Sequence, residues 1–188
     1  MKNPLFGAEY NFSVSNAGSA KAIELGDLPT WKLQDLYPSA TSDAFKADMA
    51  KAEKDSLAFE AKWKGKLSDA ATKKGADGIG QALKEYEALD DIIGRLGSFA
   101  GLTYFSDTSS PANGKLYGDV QAKITDFSGH LLFFTLELNR IDDAVIDTCM
   151  ANDPDAGHYR PWLVDLRKDK PYQLDDKLLA WRKPAAPV

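Results

Sequence analysis

The chain has 188 residues, 44% of them hydrophobic, and a formal net charge of −5 at pH 7. This length suits one domain and is marginal for two. The acidic balance, with no basic patch that alternates with aromatic residues, excludes the electrostatic footprint of a nucleic-acid-binding protein. No stretch reaches the roughly 18–20 apolar residues that a membrane helix needs, and residues 1–30 lack the continuous apolar core of a secretory signal. We therefore expect a cytoplasmic protein with neither nucleic acid nor a membrane as a partner.

Residues 1–27 are predicted to be a flexible amino-terminal tail, because Asn, Ser, Gly and Ala separate scattered aromatic residues. The aromatic segment Leu28–Pro38 follows this tail. Trp31, Leu36 and Tyr37 in that segment are expected to anchor the tail against the first helices.

Two amphipathic helices are predicted next. The first begins after the capping candidate Ser42 and ends near Gly65, and Leu67–Gly78 is predicted to be a connection. The second begins near Ile79 and gains a second apolar face toward its carboxyl end, so it is expected to be packed on two sides. The stripe of the first helix recurs at spacings of three and four residues: Phe45, Met49, Ala52, Ser56, Phe59 and Trp63.

A third helix is predicted from Leu116 to about Met150. It follows a break at Ser106–Pro111, which offers hydroxyl groups, an acid and a proline suited to a helix start. At 1.5 Å per residue this helix would be roughly 50 Å long.

Two pairs of glycines flank the break: Gly97 with Gly101, and Gly114 with Gly118. Each pair lies on one helix face because its members are four residues apart. In an antiparallel hairpin the pairs would meet, and close backbone approach would offset the loss of about 1 kcal/mol of helix propensity per glycine. We therefore expect glycine-to-glycine packing, with fraying of the helix ends as the alternative.

The carboxyl-terminal part is predicted to consist of shorter elements. Asn152–Gly157 is predicted to be a loop, His158–Arg167 a short helix, and Leu174–Trp181 the first turns of another helix. No Asn-Gly turn joins two segments of alternating β-branched residues, so no strand hairpin is expected. The patterns predict an all-α fold in which long antiparallel helices form an elongated bundle or a hairpin domain.

The sequence offers no catalytic, cofactor-binding or metal-binding residue. It holds two histidines, His130 and His158, and neither lies in H-E-x-x-H, the signature of two zinc ligands and a general base on one helix. His130 is expected to be a partly buried, hydrogen-bonded histidine, and His158 to cap or precede a helix. Asp155 stands three residues before His158, but a single such step beside Pro and Gly is not expected to form a di-iron site.

Two further residues with reactive or ionisable side chains are expected to be structural. Cys149 is expected to be buried and inert rather than reactive, because Asp147 and Asp153 deny it the electropositive setting that activates a thiol. Asp90 falls on an apolar stripe, so it is expected to be buried and to need an ion-pair partner. The candidate partners are Arg95, Lys123 and Arg140.

An aromatic and basic cluster near the carboxyl end is a candidate site for a peptide carboxylate or a partner surface, since Arg suits bidentate contact with carboxylates. Its members are Arg160, Trp162, Arg167 and Tyr172. We expect instead that these arginines form ion pairs with nearby acids such as Asp165 and Asp169.

Several segments, in this order, resemble the amino-terminal region of the oligoendopeptidase F family of zinc metallopeptidases, in the thimet-oligopeptidase-like clan. They are Leu28–Trp31, Asp35–Pro38, the long helix pair, Tyr159–Leu163 and Lys170–Leu174. The resemblance covers most of residues 28–180 and implies a helical domain that packs over a catalytic domain and helps to enclose a peptide-binding cavity. The family's zinc ligands, general base and substrate-orienting groups belong to a later region, and no position here matches them.

The resemblance divides the chain into a tail at 1–27, an oligoendopeptidase F-like amino-terminal helical domain at 28–180, and a truncated carboxyl-terminal tail at 181–188, where prolines stop the family's helix. The predicted function is that of a non-catalytic amino-terminal domain of a truncated member, in a family that hydrolyses oligopeptides. Zinc and the oligopeptide substrate are expected only in the full-length family, and the expected partner is a missing or separate catalytic domain. The alternative is a stand-alone helical module for protein–protein interaction.

Overall fold

A computed structural model of the chain describes residues 31–172, and within them every regular element is a helix, so the predicted all-α class is confirmed. The predicted tail at 1–27, the helix predicted at Leu174–Trp181 and the tail at 181–188 lie outside the described residues. The α-helices are α1 (Asp43–Trp63), α2 (Leu67–Ala70), α3 (Ile79–Ser106), α4 (Pro111–Arg140), α5 (Asp143–Asn152), α6 (Pro154–His158) and α7 (Arg160–Leu166). Short 3-10 turns occupy Leu33–Asp35, Gly75–Asp77 and Arg167–Tyr172.

The three long helices α1, α3 and α4 form a bundle with α3 antiparallel to the other two. At the end of α1, the Trp63 indole donates to Glu85 near the start of α3, at 2.8 Å. At the turn between α3 and α4, the rings of Tyr104 and Tyr117 stack with centroids 5.3 Å apart. Helix α3 packs on both neighbours, as its two apolar faces predict.

The predicted bounds of the first helix and the predicted start of the second are confirmed, and the third helix begins at Pro111 rather than Leu116. The Ser42 hydroxyl caps α1 by accepting from the Phe45 amide, and Gly65 follows the helix with a positive φ of 76°, a conformation that favours glycine. The Ser110 hydroxyl caps α4 by accepting from the Asn113 amide. The capping hydroxyls satisfy amides that would otherwise have no partner in the first helical turn.

The predicted third helix is wrong in its length, because it ends at Arg140 rather than near Met150. Ile141 is extended, with ψ of 142°, and the Asp142 carboxylate accepts from the Ala144 amide at 2.8 Å, which starts α5 as a separate helix. An aspartate that caps the next helix competes with continuation of the previous one. The apolar stripe continues across this break, which is why periodicity alone joins the two helices.

Two segments predicted to be irregular are partly helical. Leu67–Gly78, predicted to be a connection, contains α2 and buries Leu67 and Ala70. Asn152–Gly157, predicted to be a loop, contains most of α6, because the Asp153 carboxylate accepts from the Asp155 amide and a proline occupies the first helical turn.

The predicted contact between glycine pairs across the α3–α4 hairpin is wrong. A methyl group on Gly101 would lie 3.8 Å from the Tyr117 ring, and one on Gly114 would lie 3.8 Å from the Tyr104 ring. Nothing lies within 4 Å of the corresponding position on Gly118. Stacked tyrosines therefore fill the hairpin beside these glycines.

Tyr37 and Leu36 of the expected anchor pack on the first helices, whereas the tail that they are expected to anchor lies outside the described residues. Tyr37 is 2% exposed and meets the rings of Phe45 and Phe99 edge-on, with centroids 5.2 and 5.5 Å away. Leu36 is partly buried against the core, whereas Trp31 is 63% exposed.

Candidate functional site

The carboxyl-terminal helices are fixed to the bundle through Arg167. Its guanidinium donates to the carbonyl oxygens of Leu138 and Ile141, at the end of α4, and to the carboxylate of Asp143. Hydrogen bonds from Arg167 and then Lys170 lower the pKa of Asp143 below its ordinary value. Because the Arg167 side chain is only 11% exposed and its donors are engaged, it stabilises the α4–α5 junction.

The predicted aromatic and basic cluster does not come together. Arg167 is occupied at the α4–α5 junction, and the Trp162 ring packs toward Tyr86 of α3, with centroids 5.8 Å apart. Arg160 is exposed, and Tyr172 is 83% exposed. These side chains therefore do not form one binding site for a carboxylate.

The expected ion pairs of this cluster are also corrected. Arg167 pairs with Asp143, while the carboxylate of Asp165 pairs with Lys168 at 2.6 Å. The side chain of Asp169 lies outside what the structure describes. The acid nearest in sequence is therefore not the partner, because Arg167 turns back toward the end of α4.

The histidines have structural contacts. His130 is partly buried, and its Nδ1 lies 2.6 Å from the Glu60 carboxylate, so the predicted hydrogen-bonded role is confirmed. His158 is the last residue of α6 and precedes α7, which agrees with its expected position before a helix. Asp155 pairs with Lys84 of α3 at 2.6 Å. Among residues 31–172, no group of three or more His, Cys, Asp or Glu side chains is placed to hold a metal ion.

The predicted burial of Cys149 is confirmed. The residue is 5% exposed, and burial, followed by the charge of Asp153, raises the pKa of its thiol. A thiol whose pKa is raised forms little of the thiolate that acts as a nucleophile.

Asp90 is exposed, so its predicted burial is wrong. The inward positions at this level of α3 are Leu89, Ile92 and Ile93, which leave Asp90 on the outer side. Of the candidate partners, Arg95 pairs with Asp91 and Asp48, and Lys123 lies 3.5 Å from Glu53.

Asp90 instead borders a cleft of about 240 Å³ between α3 and the segment around α7. We name it the aromatic–acidic cleft. Its lining residues are Leu83, Tyr86, Glu87, Asp90, Tyr159 and Trp162. It is therefore the place where the short carboxyl-terminal helices meet the central helix of the bundle.

Ring packing holds the aromatic wall of the cleft in place. Tyr86 stacks on Phe134 of α4 with centroids 4.7 Å apart, and Phe134 meets Phe59 of α1 at 5.2 Å. Trp162 adds the outer ring of this column, beside Tyr86. Phe134 is fully buried, so the column connects the cleft to the core of the bundle.

The polar side of the cleft is negatively charged. The Tyr159 hydroxyl donates to the Glu87 carboxylate at 2.5 Å, and burial together with this hydrogen bond raises the pKa of Tyr159 to about 12. Burial and the charge of Asp90 likewise raise the pKa of Tyr86. Both phenols therefore stay neutral near pH 7, while Glu87 and Asp90 form no ion pair with any residue that the structure describes.

Sequence reasoning placed no residue of this cleft in a shared site. The sequence places Trp162 in a different candidate cluster, predicts that Asp90 is buried, and includes Tyr159 only in a segment that carries the family resemblance. The one available signal was the run Tyr86-Glu87 with Asp90 three residues on, which share one side of α3. Nothing local in the sequence indicates that Tyr159 and Trp162 pack against that side.

The fold of the described residues defines the class of protein. It is an all-α domain in which short carboxyl-terminal helices pack against a three-helix bundle, with α6 on the central helix α3. Within the described residues, no helix is both long and apolar enough to cross a membrane.

A sequence model of the family described as Oligopeptidase F, for the amino-terminal region of these peptidases, matches residues 137–178. The match begins in α4 and, within the described residues, takes in α5, α6 and α7. The expected resemblance to the amino-terminal region of the oligoendopeptidase F family is therefore confirmed for this segment, which is less than a quarter of the chain. Searches of curated proteins and of solved structures found no match.

Proposed function

We propose that these 188 residues act as a non-catalytic amino-terminal helical domain of the oligoendopeptidase F type, which packs against a catalytic domain. The observation that carries the proposal is the Oligopeptidase F match at residues 137–178. In its described part, that segment is folded onto the bundle, with Leu163 1% exposed and Arg167 bound to the end of α4. The matched residues therefore belong to a folded domain. The role that we propose for this domain is to support and cover a catalytic domain.

The chemistry of peptide hydrolysis is proposed to come from elsewhere. A catalytic zinc ion takes about three protein ligands, and the family's signature supplies two of them as histidines one helical turn apart. In this sequence His130 is followed by Leu131 and His158 by Tyr159, so neither histidine begins that signature. Zinc and the oligopeptide substrate would then bind to a catalytic domain in a longer polypeptide or in a separate chain.

Activity and metal content test this proposal directly. The purified protein, incubated with zinc, is expected to cleave a quenched fluorescent oligopeptide no faster than buffer, and to retain less than one zinc per chain after desalting. A His130→Ala, His158→Ala double variant is the matched control, because it removes every histidine in the sequence. Zinc-dependent cleavage that the double variant loses would overturn the non-catalytic assignment.

The reading frame downstream of this chain's gene gives a second test. If it encodes H-E-x-x-H, co-expression of the two products is expected to give a complex that co-purifies and cleaves oligopeptides. Two such products that fail to associate would contradict the proposed packing.

A stand-alone interaction module is the second candidate. The scatter of exposed apolar residues favours its stand-alone character and does not by itself mark a binding face. The large exposed hydrophobic side chains of the described residues are spread along the chain: Trp31, Leu57 on α1, Phe105 on α3, Leu132 on α4, Trp162 and Val164 on α7, and Tyr172. Scattered residues of this kind are ordinary on a soluble surface, whereas a large contiguous apolar patch marks a covered face. A monodisperse monomer in size-exclusion chromatography with light scattering would favour the module, and concentration-dependent association would favour a domain that lacks its partner.

A further inference from the structure

We propose that the aromatic–acidic cleft binds the guanidinium group of an arginine side chain that a partner polypeptide presents. This inference does not rest on the proposed function, because it uses only the charges, rings and size of the cleft.

The negative charge of the cleft favours a cationic ligand. Glu87 and Asp90 are three residues apart on α3, so their carboxylates project from the same side of the helix. Glu87 accepts one hydrogen bond, from Tyr159, and an ionised carboxylate has about four acceptor positions. Neither carboxylate is neutralised by a described cation, and the nearby Lys84 is already paired with Asp155. A ligand cation would therefore find two acceptors available.

The rings select the type of cation. Tyr86 and Trp162 stand 5.8 Å apart at an interplanar angle of 41°, and Trp162 remains 37% exposed, so its indole is accessible. A cation within about 6 Å of an aromatic centroid is attracted by the ring, and an indole is the best partner. A guanidinium combines this stacking with a planar fork of donors that fits a carboxylate, which an ammonium group cannot do.

The size of the cleft points to a single side chain. Its volume of about 240 Å³ lies below the roughly 300–1,000 Å³ that pockets for drug-sized ligands occupy. The aromatic column from Phe59 to Trp162 holds the wall in one arrangement. A preformed wall lowers the ordering cost of binding.

Another cleft on the same bundle shows why charge matters here. The cleft of about 380 Å³ between α1 and α3 also has acids at its rim. There, however, Glu85 pairs with Lys62 at 2.6 Å, and Asp55 pairs with Lys51. That cleft supplies its own cations, whereas the aromatic–acidic cleft does not.

Titration by NMR tests the proposal with three probes. The first probe, the blocked tripeptide acetyl-Gly-Arg-Gly-amide, is added to the intact, isotopically labelled protein. Binding is followed through the indole signal of Trp162, which a Trp162→Phe variant assigns. The second probe carries citrulline in place of arginine, which keeps the shape and removes the charge, and it is expected to bind about tenfold more weakly. Equal affinity for the two peptides, or an unmoved Trp162 signal, would overturn the proposal. The third probe is ethylguanidinium; if it binds as tightly as the arginine peptide, a polypeptide is not the ligand.

A pair of neighbouring substitutions locates the binding. Asp90→Asn is expected to weaken the arginine peptide about five- to tenfold, because it removes one of the two charges of the cleft. Asp91→Asn makes the same chemical change one residue away, at an exposed acid that pairs with Arg95 and does not line the cleft. It is expected to leave the affinity within about twofold of the unsubstituted protein, because exposed charges outside the contact are screened. Equal weakening by both substitutions would show non-specific attraction and overturn the assigned site.

Discussion

The three-helix bundle and the carboxyl-terminal helices of this protein are held in different ways. In the bundle, apolar stripes bury side chains along most of the length of each helix, so many residues contribute to its stability. The helix starts follow from simple caps such as Ser42 and Ser110. In the carboxyl-terminal part, each short helix buries only one to three side chains, and its position also depends on a few polar or close contacts. The guanidinium of Arg167, the carboxylate of Asp153 and the bare backbone of Gly80 are three of these.

This difference predicts how each region responds to substitution. A helix of seven residues gains little from its own hydrogen bonds, since helices shorter than about 12–15 residues are marginal in water. The short helices α5 to α7 therefore rely on the bundle surface for their stability. The bundle should lose free energy of unfolding through core cavities, and the carboxyl-terminal part through the loss of individual contacts.

The largest expected effect is in the bundle, at Phe134. Phe134→Ala removes a fully buried ring that contacts Phe59 and Tyr86, and it should lower the free energy of unfolding by about 3–5 kcal/mol. Urea unfolding followed by circular dichroism measures the change. The matched control is Leu132→Ala, two residues earlier on α4 and 58% exposed, for which about 0.5 kcal/mol or less is expected. Similar losses for the two variants would contradict the assigned core.

The next effect should be localised to the carboxyl-terminal part. Arg167→Met keeps much of the side-chain length but removes the donors to Leu138, Ile141 and Asp143, and should cost about 2–3 kcal/mol. Hydrogen exchange should show faster exchange in α5 than in α1, because the lost contacts lie at the α4–α5 junction.

The neighbouring lysine provides the control for Arg167. Lys168→Met removes a positive charge whose only described ion pair is an exposed one with Asp165, and it should leave stability almost unchanged. If Arg167→Met accelerated exchange equally in α1 and α5, the two regions would behave as one unit and the comparison would fail.

Two glycines on α3 differ in their surroundings: Gly80 lies in close contact with α6, whereas Gly94 has open space beside it. A methyl group on Gly80 would lie 2.7 Å from the Asp155 side chain and 2.9 Å from the Ala156 amide nitrogen, so Gly80→Ala should cost about 1–3 kcal/mol. Nothing lies within 4 Å of the same position on Gly94, so Gly94→Ala should raise stability by up to about 1 kcal/mol through helix propensity. Thermal and urea unfolding measure both. A stabilising Gly80→Ala would show that α6 does not pack against α3 as described.

The same contrast explains which features the sequence could predict. The stripe Phe45 to Trp63 and the caps Ser42 and Ser110 are local signals, and the structure follows them. The break at Ile141 was missed because the apolar stripe continues across it, and the capping role of Asp142 competes with that stripe. The outward position of Asp90 depends on where α3 meets its neighbours, which no local pattern specifies.

The candidate cleft was harder still to predict from the sequence. Tyr159 and Trp162 reach it only because α6 and α7 dock on α3, and that docking depends on contacts such as the approach of Gly80 to Asp155. Contacts between residues more than seventy positions apart, such as Tyr159 with Glu87, leave no periodic trace in the sequence.

The smallest expected effect is a dependence on pH within the bundle. Burial alone would raise the pKa of Glu85, but hydrogen bonds from Lys62, Trp63 and Gln81 outweigh it, and the pKa of Glu85 lies below its ordinary value of 4.5. A carboxyl group with a lower pKa in the folded state stabilises that state above its ordinary pKa, and this contribution is lost as the pH falls through the lowered pKa. Glu85→Gln should therefore cost about 1 kcal/mol at about pH 7 and less at about pH 3.

Urea midpoints of the two proteins at both pH values give the test. The control Glu53→Gln alters an exposed carboxylate that lies 3.5 Å from Lys123, so it should change stability little at either pH. A stability difference between the native protein and Glu85→Gln that stayed constant, or widened, as the pH fell would mean that the charge of Glu85 does not tie α1 to α3. The end of α1 would then be held by the packing of Trp63 and by the hydrogen bonds from the Gly65 amide to the Glu137 carboxylate.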